Sequence, residues 1–163
     1  MTIAQEFLKA NEAYASTFNK GDLAMPPARR VAVLTCMDAR IDPARALGLE
    51  EGDAHVIRNA GGRAAEALRS LIISEQLLGT THIVVIHHTD CGMLTFRNED
   101  LRKKVKQELH ADADHIDFLP FSNLEQSVRD DVALLRNSPL IPKSIDISGF
   151  IYDVKSGKLL PVA

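Results

Sequence analysis

The chain has 163 residues, with Lys plus Arg 19 and Asp plus Glu 22, a formal net charge of −3. A chain of this length hides roughly 70% of the surface its unfolded form exposes, so one sizeable core forms without covalent staples, and a single domain over residues 1–163 is the expectation. The mildly acidic balance argues against a nucleic-acid partner, whose footprint is basic, and against attraction to an anionic membrane. Apolar runs such as Ile83 to Ile86 are far shorter than the roughly 18 residues of a membrane span. Residues Met1 to Lys9 include Gln5, Glu6 and Lys9 and do not read as a secretory signal, which makes the cytoplasm the expected compartment. The two cysteines, Cys36 and Cys91, are too few for a disulfide scaffold, and such a pair in the cytosol points to metal binding or catalysis.

In chain order, Phe7, Leu8, Asn11, Tyr14, Ala15 and Phe18 share one stripe, which predicts an amphipathic helix over residues 4–18. The segment Asn19 to Arg30 carries Gly21, Pro26 and Pro27 and is expected to run extended. A helix on such an arm must bury its aromatic face, either on its own domain or on a partner subunit, and residues 1–28 are expected to pack on a partner in a dimer. Val31 to Cys36, Ala54 to Arg58, His82 to His87 and Ile147 to Val154 read as strands. Ser156-Gly157 then turns a short apolar tail back as a hairpin. Between the second and third strands, Ala64, Leu68, Leu71, Ile72 and Leu78 form a helical stripe ending at Gly79. Ser122 and Glu125 form a capping-box pattern opening a helix with Leu124, Val128, Val132 and Leu135 on one face, closed before Pro139. Leu101 to Asp117 reads as part helix and part loop. Strands alternating with helices predict an α/β fold, a mostly parallel central sheet flanked by helices, with a C-terminal edge strand and an N-terminal helical arm.

Three groups fall where strands end, the edge at which open α/β sheets bind ligands. They are Cys36-Met37-Asp38-Ala39-Arg40, Arg58-Asn59-Ala60-Gly61-Gly62 and His87-His88-Thr89-Asp90-Cys91-Gly92. His88 and Cys91 can reach one ion from a tight turn, with Gly92 expected to relieve the backbone, and Cys36 supplies a third ligand from a neighbouring strand. Two thiolates and one imidazole form a recognised catalytic zinc set with a fourth position for water, and soft sulfur favours zinc over magnesium or calcium. Two other readings stay open: buried cysteines that merely pack, and a structural zinc completed by Asp38 or another histidine. Asp38 and Arg40 lie two apart and, on an extended segment, face the same way. Arg40 can then hold the Asp38 carboxylate off the metal and lower its pKa. His87 points away from His88 and is expected in the core. Gly61 and Gly62 lack the spacing of a dinucleotide cradle; they are expected to border the substrate pocket, with close approach of a small anion at the following helix N-terminus.

Taken together, Cys36-x-Asp38-x-Arg40, Arg58-Asn59-Ala60-Gly61 and His88-x-x-Cys91-Gly92 resemble the β-class carbonic anhydrases, in order and in separation, over roughly Arg29 to Val154. The resemblance implies Zn2+ held by Cys36, His88 and Cys91, Asp38 and Arg40 as the catalytic dyad, and an N-terminal helix clasping a second subunit in a homodimer or homotetramer. It also implies reversible hydration of carbon dioxide to bicarbonate. Relatives within the family hydrolyse carbonyl sulfide or carbon disulfide with the same ligands, so carbonyl sulfide hydrolysis is the alternative. A non-catalytic zinc or thiol redox protein is a third reading. Members with an inhibitory bicarbonate pocket use a tryptophan there, and this chain has Trp 0.

Overall fold

Val31–Cys36 forms strand β1 with its last five residues buried, as a continuous apolar run covered on both sides requires. In this computed structural model, which describes residues 1–163, the further strands are β2 (Ala54–Asn59), β3 (His82–His88), β4 (Asp146–Tyr152) and β5 (Leu159–Pro161). The sheet order is β2-β1-β3-β4-β5. The first four strands are mutually parallel, with Val31 opposite Ala54 on one side and His82 on the other. β5 pairs antiparallel with β4, Phe150 opposite Pro161, which is the expected C-terminal hairpin.

The helices are α1 (Ile3–Ser16), α2 (Pro43–Leu47), α3 (Ala64–Leu78), α4 (Asn98–Leu109) and α5 (Leu124–Asn137). α3 ends on Gly79 in the left-handed region, φ 77°, as a helix C-terminus favours. Leu71 of α3 and Val128, Val132 and Leu135 of α5 close one core with Ala32, Leu34, Ile83, Val85 and Ile147 from the sheet. The start of α5 differs from the expectation by one residue. Asn123, not Ser122, is the cap, and its side chain accepts from Gln126 N–H at 2.9 Å. Ser122-x-x-Glu125 and Asn123-x-x-Gln126 both fit the cap pattern; Phe121 N–H, tied to Met93 O at 3.2 Å, holds the chain out of the helix until the second. Ser138 closes α5 in the extended region, ψ 130°, the conformation that a following proline imposes. α2 was not foreseen; Asp42 caps it, with Pro43 in its first turn.

α1 stands apart from this core. It is opened by a reciprocal cap between Thr2 and Gln5, and none of its residues is buried. Phe7 is 66% and Tyr14 53% exposed. No helix is long and apolar enough to cross a membrane.

Candidate metal centre

β1 and β3 are neighbours, and the chain order reverses between them, since β2 lies beyond β1 and β4 beyond β3. Such a reversal opens a crevice at the carboxyl ends of the strands. β1 delivers Cys36 there and β3 delivers His88, both as final residues. A turn through Thr89 and Asp90 brings Cys91 back. The Sγ atoms of Cys36 and Cys91 and a ring nitrogen of His88 all lie within 4.8 Å of one another, and all three residues are buried.

The backbone of that turn is relieved at Asp90, φ 54°, and not at Gly92, whose φ is not positive. A Cβ at Gly92 would meet nothing within 4 Å. Aspartate is among the few side chains that tolerate the left-handed region. Here Arg40 grips Asp90 on both oxygen types: Nη1 donates to Oδ2 at 2.8 Å and Nη2 to the carbonyl at 2.9 Å.

His88 Nδ1 lies 2.8 Å from the Thr89 carbonyl, which can only accept, so the proton sits on Nδ1 and Nε2 is left to face the sulfurs. Nε2 is buried and has no hydrogen-bond partner. A backbone carbonyl on one imidazole nitrogen with the other unpartnered is how proteins present histidine to a metal. The residues therefore fit a zinc ion on both donor chemistry and tautomer. Electrostatics agree. The Cys91 thiol beside Cys36, with His88 and the backbone N–H groups of Asp38 and Gly61, holds the Cys36 thiol down to about 4 against the cost of burial. Cys91 is pushed up by that hydrogen bond and by burial. The pair thus holds one thiolate and one proton between its two sulfurs.

Asp38 and Arg40 do meet, but not because the segment is extended. Residues 38–41 form a turn with Ile41 N–H on Asp38 O at 3.1 Å, and Asp38 Oδ1 accepts Arg40 N–H at 2.8 Å. This is an aspartate turn, in which the side chain bonds the backbone two residues on. Arg40 then closes a fork on the carboxylate, Nε to Oδ1 at 3.0 Å and Nη2 to Oδ2 at 2.8 Å. The side-chain bond from Arg40 keeps the Asp38 carboxyl well below the usual range. Its Oδ2 lies 3.7 Å from His88 Nε2, yet Asp38 is not part of the three-donor cluster.

Arg58 also serves the site, a role its place in the motif did not reveal. Its Nε donates to Cys36 O at 3.0 Å and its Nη2 to Asp38 O at 2.7 Å, pinning the loop that carries both. Asp90 serves it too, by holding Arg40; its position between His88 and Cys91 is the signal for that role in the sequence.

Gly61 lines a cavity of about 340 Å³ over the cluster, with Met37, Ala60, Met93 and Phe96 as its apolar walls. Gly62 does not line it. It is buried, at φ 64°, and a Cβ there would meet Thr35 C at 2.9 Å and Cys36 N at 3.0 Å. Its role is close approach of backbones. The helix N-terminus after the glycines does not offer an anion site: Ala64 N–H is taken by the Asp131 carboxylate at 3.0 Å. His87 is fully buried, as expected, with Nδ1 2.7 Å from Ser127 Oγ.

The chain is thus an α/β protein whose mostly parallel sheet carries, at its switch point, a Cys-His-Cys cluster able to hold a metal ion. The family described as carbonic anhydrase matches residues 31–159. Beta-carbonic anhydrase 1 of Mycobacterium tuberculosis is 42% identical over 162 residues, 98% of this chain and 97% of its own length. A carbon disulfide hydrolase of Saccharolobus solfataricus is 36% identical over 178 residues, covering 94% of this chain and 86% of its own. The crystal structure of carbonic anhydrase from Streptococcus mutans superposes with a TM-score of 0.95 at 53% identity, covering 100% of this chain and 99% of that one. The chain belongs to the β-carbonic anhydrase family, which includes carbon disulfide hydrolases.

Proposed function

We propose that the chain catalyses reversible hydration of carbon dioxide to bicarbonate, with zinc held by Cys36, His88 and Cys91. Bound there, zinc supplies a Lewis acid that makes hydroxide available from water near neutral pH. The protein's own share falls to Asp38 and Arg40. Asp38 stays ionised under the Arg40 fork, so it is an acceptor only. From its place beside His88 it would accept a hydrogen bond from the attacking hydroxide and turn a lone pair of that oxygen toward the substrate carbon. Arg40 keeps that carboxylate from becoming a fourth ligand. The walls at Met37, Ala60, Met93 and Phe96 accept a small linear molecule with little polarity. Each hydration releases one proton, which passes to solvent buffer.

The observation that carries this reading is the grip of Arg40 on Asp38, which leaves the cluster with three donors and not four; a catalytic zinc site requires that vacancy. The relationship to carbon disulfide hydrolases, with Met37 and Met93 among the residues that line the cavity, favours a second reading: hydrolysis of carbonyl sulfide to hydrogen sulfide and carbon dioxide. One preparation assayed both for carbon dioxide hydration by stopped flow and for sulfide release separates the two. Hydration dominating supports the first reading, and sulfide release with negligible hydration reverses the order. Stoichiometric zinc with neither turnover would leave a non-catalytic metal protein. The exposed apolar stripe of α1 supports assembly as a homodimer or homotetramer.

A further inference from the structure

Cys36 Sγ accepts a hydrogen bond from Gly61 N–H at 3.3 Å. That N–H belongs to a turn with Gly61 at φ 82° and Gly62 at φ 64°. Two successive glycines carry the greatest conformational freedom a chain has, so the direction of the Gly61 N–H is not set locally. Asn59 braces the turn from β2, its Oδ1 accepting Arg63 N–H at 2.7 Å. The other brace comes from α5. The buried carboxylate of Asp131 accepts Arg63 Nη2 at 2.9 Å and Ala64 N–H at 3.0 Å. Its Oδ2 also lies 3.2 Å from His87 Nε2. His87 Nε2 in turn meets Gly62 O at 3.1 Å; both of its neighbours only accept, so Nε2 carries the proton and donates. The polar contacts of the Asp131 side chain thus reach Arg63 and Ala64 directly and Gly62 through His87.

We propose that Asp131 is a positioning residue for the metal centre. Clamping residues 62–64, it aims the Gly61 N–H at Cys36 Sγ and so sets how much electron density that sulfur donates. Supports of this kind tune metal affinity although they never touch the ion. The proposal rests on the reading of Cys36, His88 and Cys91 as metal ligands.

The test uses the full chain and cobalt(II), whose sulfur-to-metal charge-transfer absorption reports on the thiolates, together with zinc affinity by competition with a chromophoric chelator. Asp131→Asn keeps the size and one acceptor but loses the charge. It is expected to bind cobalt, with the charge-transfer band moved in energy and zinc affinity down about tenfold. Arg63→Lys, which loosens one arm of the clamp, shifts the band in the same direction by less. Ile141→Val trims the buried core beyond the end of α5 and belongs to none of the hydrogen bonds of the clamp; it lowers the melting temperature and leaves the band in place. Asp131→Asn and Arg63→Lys with lower melting temperatures but the parental band and affinity overturn the proposal. Should Asp131→Asn fail to fold, Arg63→Lys decides it alone. A parent chain with no charge-transfer band overturns the metal reading itself, and this proposal with it.

Discussion

Arg40 divides its guanidinium between two carboxylates, Asp38 and Asp90. A solvent-exposed ion pair contributes little stability, roughly 0–1 kcal/mol, so the arrangement is better understood through what it orients. Asp38→Ala is expected to keep zinc, because the three donors are untouched, while turnover for carbon dioxide falls by about a hundredfold or more, the range for a positioned proton acceptor. Stopped-flow rates beside elemental analysis check this, and an unchanged rate would remove Asp38 from the chemistry. Gly62 makes a structural prediction at the same scale. A methyl group there strains a left-handed residue and drives into the backbone of Thr35 and Cys36. Gly62→Ala should lose on the order of 3 kcal/mol, combining the left-handed penalty with overpacking, as read by urea unfolding.

Among the elements, β1, β3, β4 and α3 were legible because each repeats one pattern long enough to dominate: a buried apolar run, or a stripe with a glycine stop. α5 was legible in its face but not in its first residue, since two cap signals overlap by one position. α2 is five residues long, too short for periodicity to show. The β4–β5 hairpin was foreseen from Ser156-Gly157, and its lock is Asp153. Lys155 N–H donates to Asp153 Oδ1 at 3.0 Å and Ser156 Oγ to Oδ2 at 2.9 Å. Led by the Lys155 N–H, these bonds depress the Asp153 pKa. A carboxylate depressed in the native state adds stability that is fully present above its unfolded value of about pH 4 and fades as pH falls through the lower native one. The parent should therefore exceed Asp153→Asn in urea resistance near pH 7, with the gap narrowing toward pH 3. An equal gap at both values would contradict the assignment.

At the scale of the molecule, the unsolved surface is α1. Every residue of it is exposed, including Phe7, Leu8 and Tyr14, while Thr2 and Gln5 still cap it. An isolated helix of this length is marginal in water, and contiguous exposed apolar surface favours association. Deleting residues 1–20 is expected to leave the sheet and core helices folded and to reduce the number of copies per particle, read as mass by light scattering. A mass lowered only by that of the removed residues would count against α1 as a contact between copies of the chain.

The sequence by itself determined which residue types could bind a metal, that they close strands, and where the apolar runs and turn residues lie, because all of these follow from local chemistry and short-range periodicity. Only the tertiary structure decided that β1 and β3 are neighbours, that Arg40 reaches Asp90 as well as Asp38, and that Asp131 occupies the helix N-terminus behind Gly62. Those contacts join residues far apart along the chain, and which distant donors and acceptors meet is set by strand order and by the packing of α5 on the sheet, for which no local pattern exists.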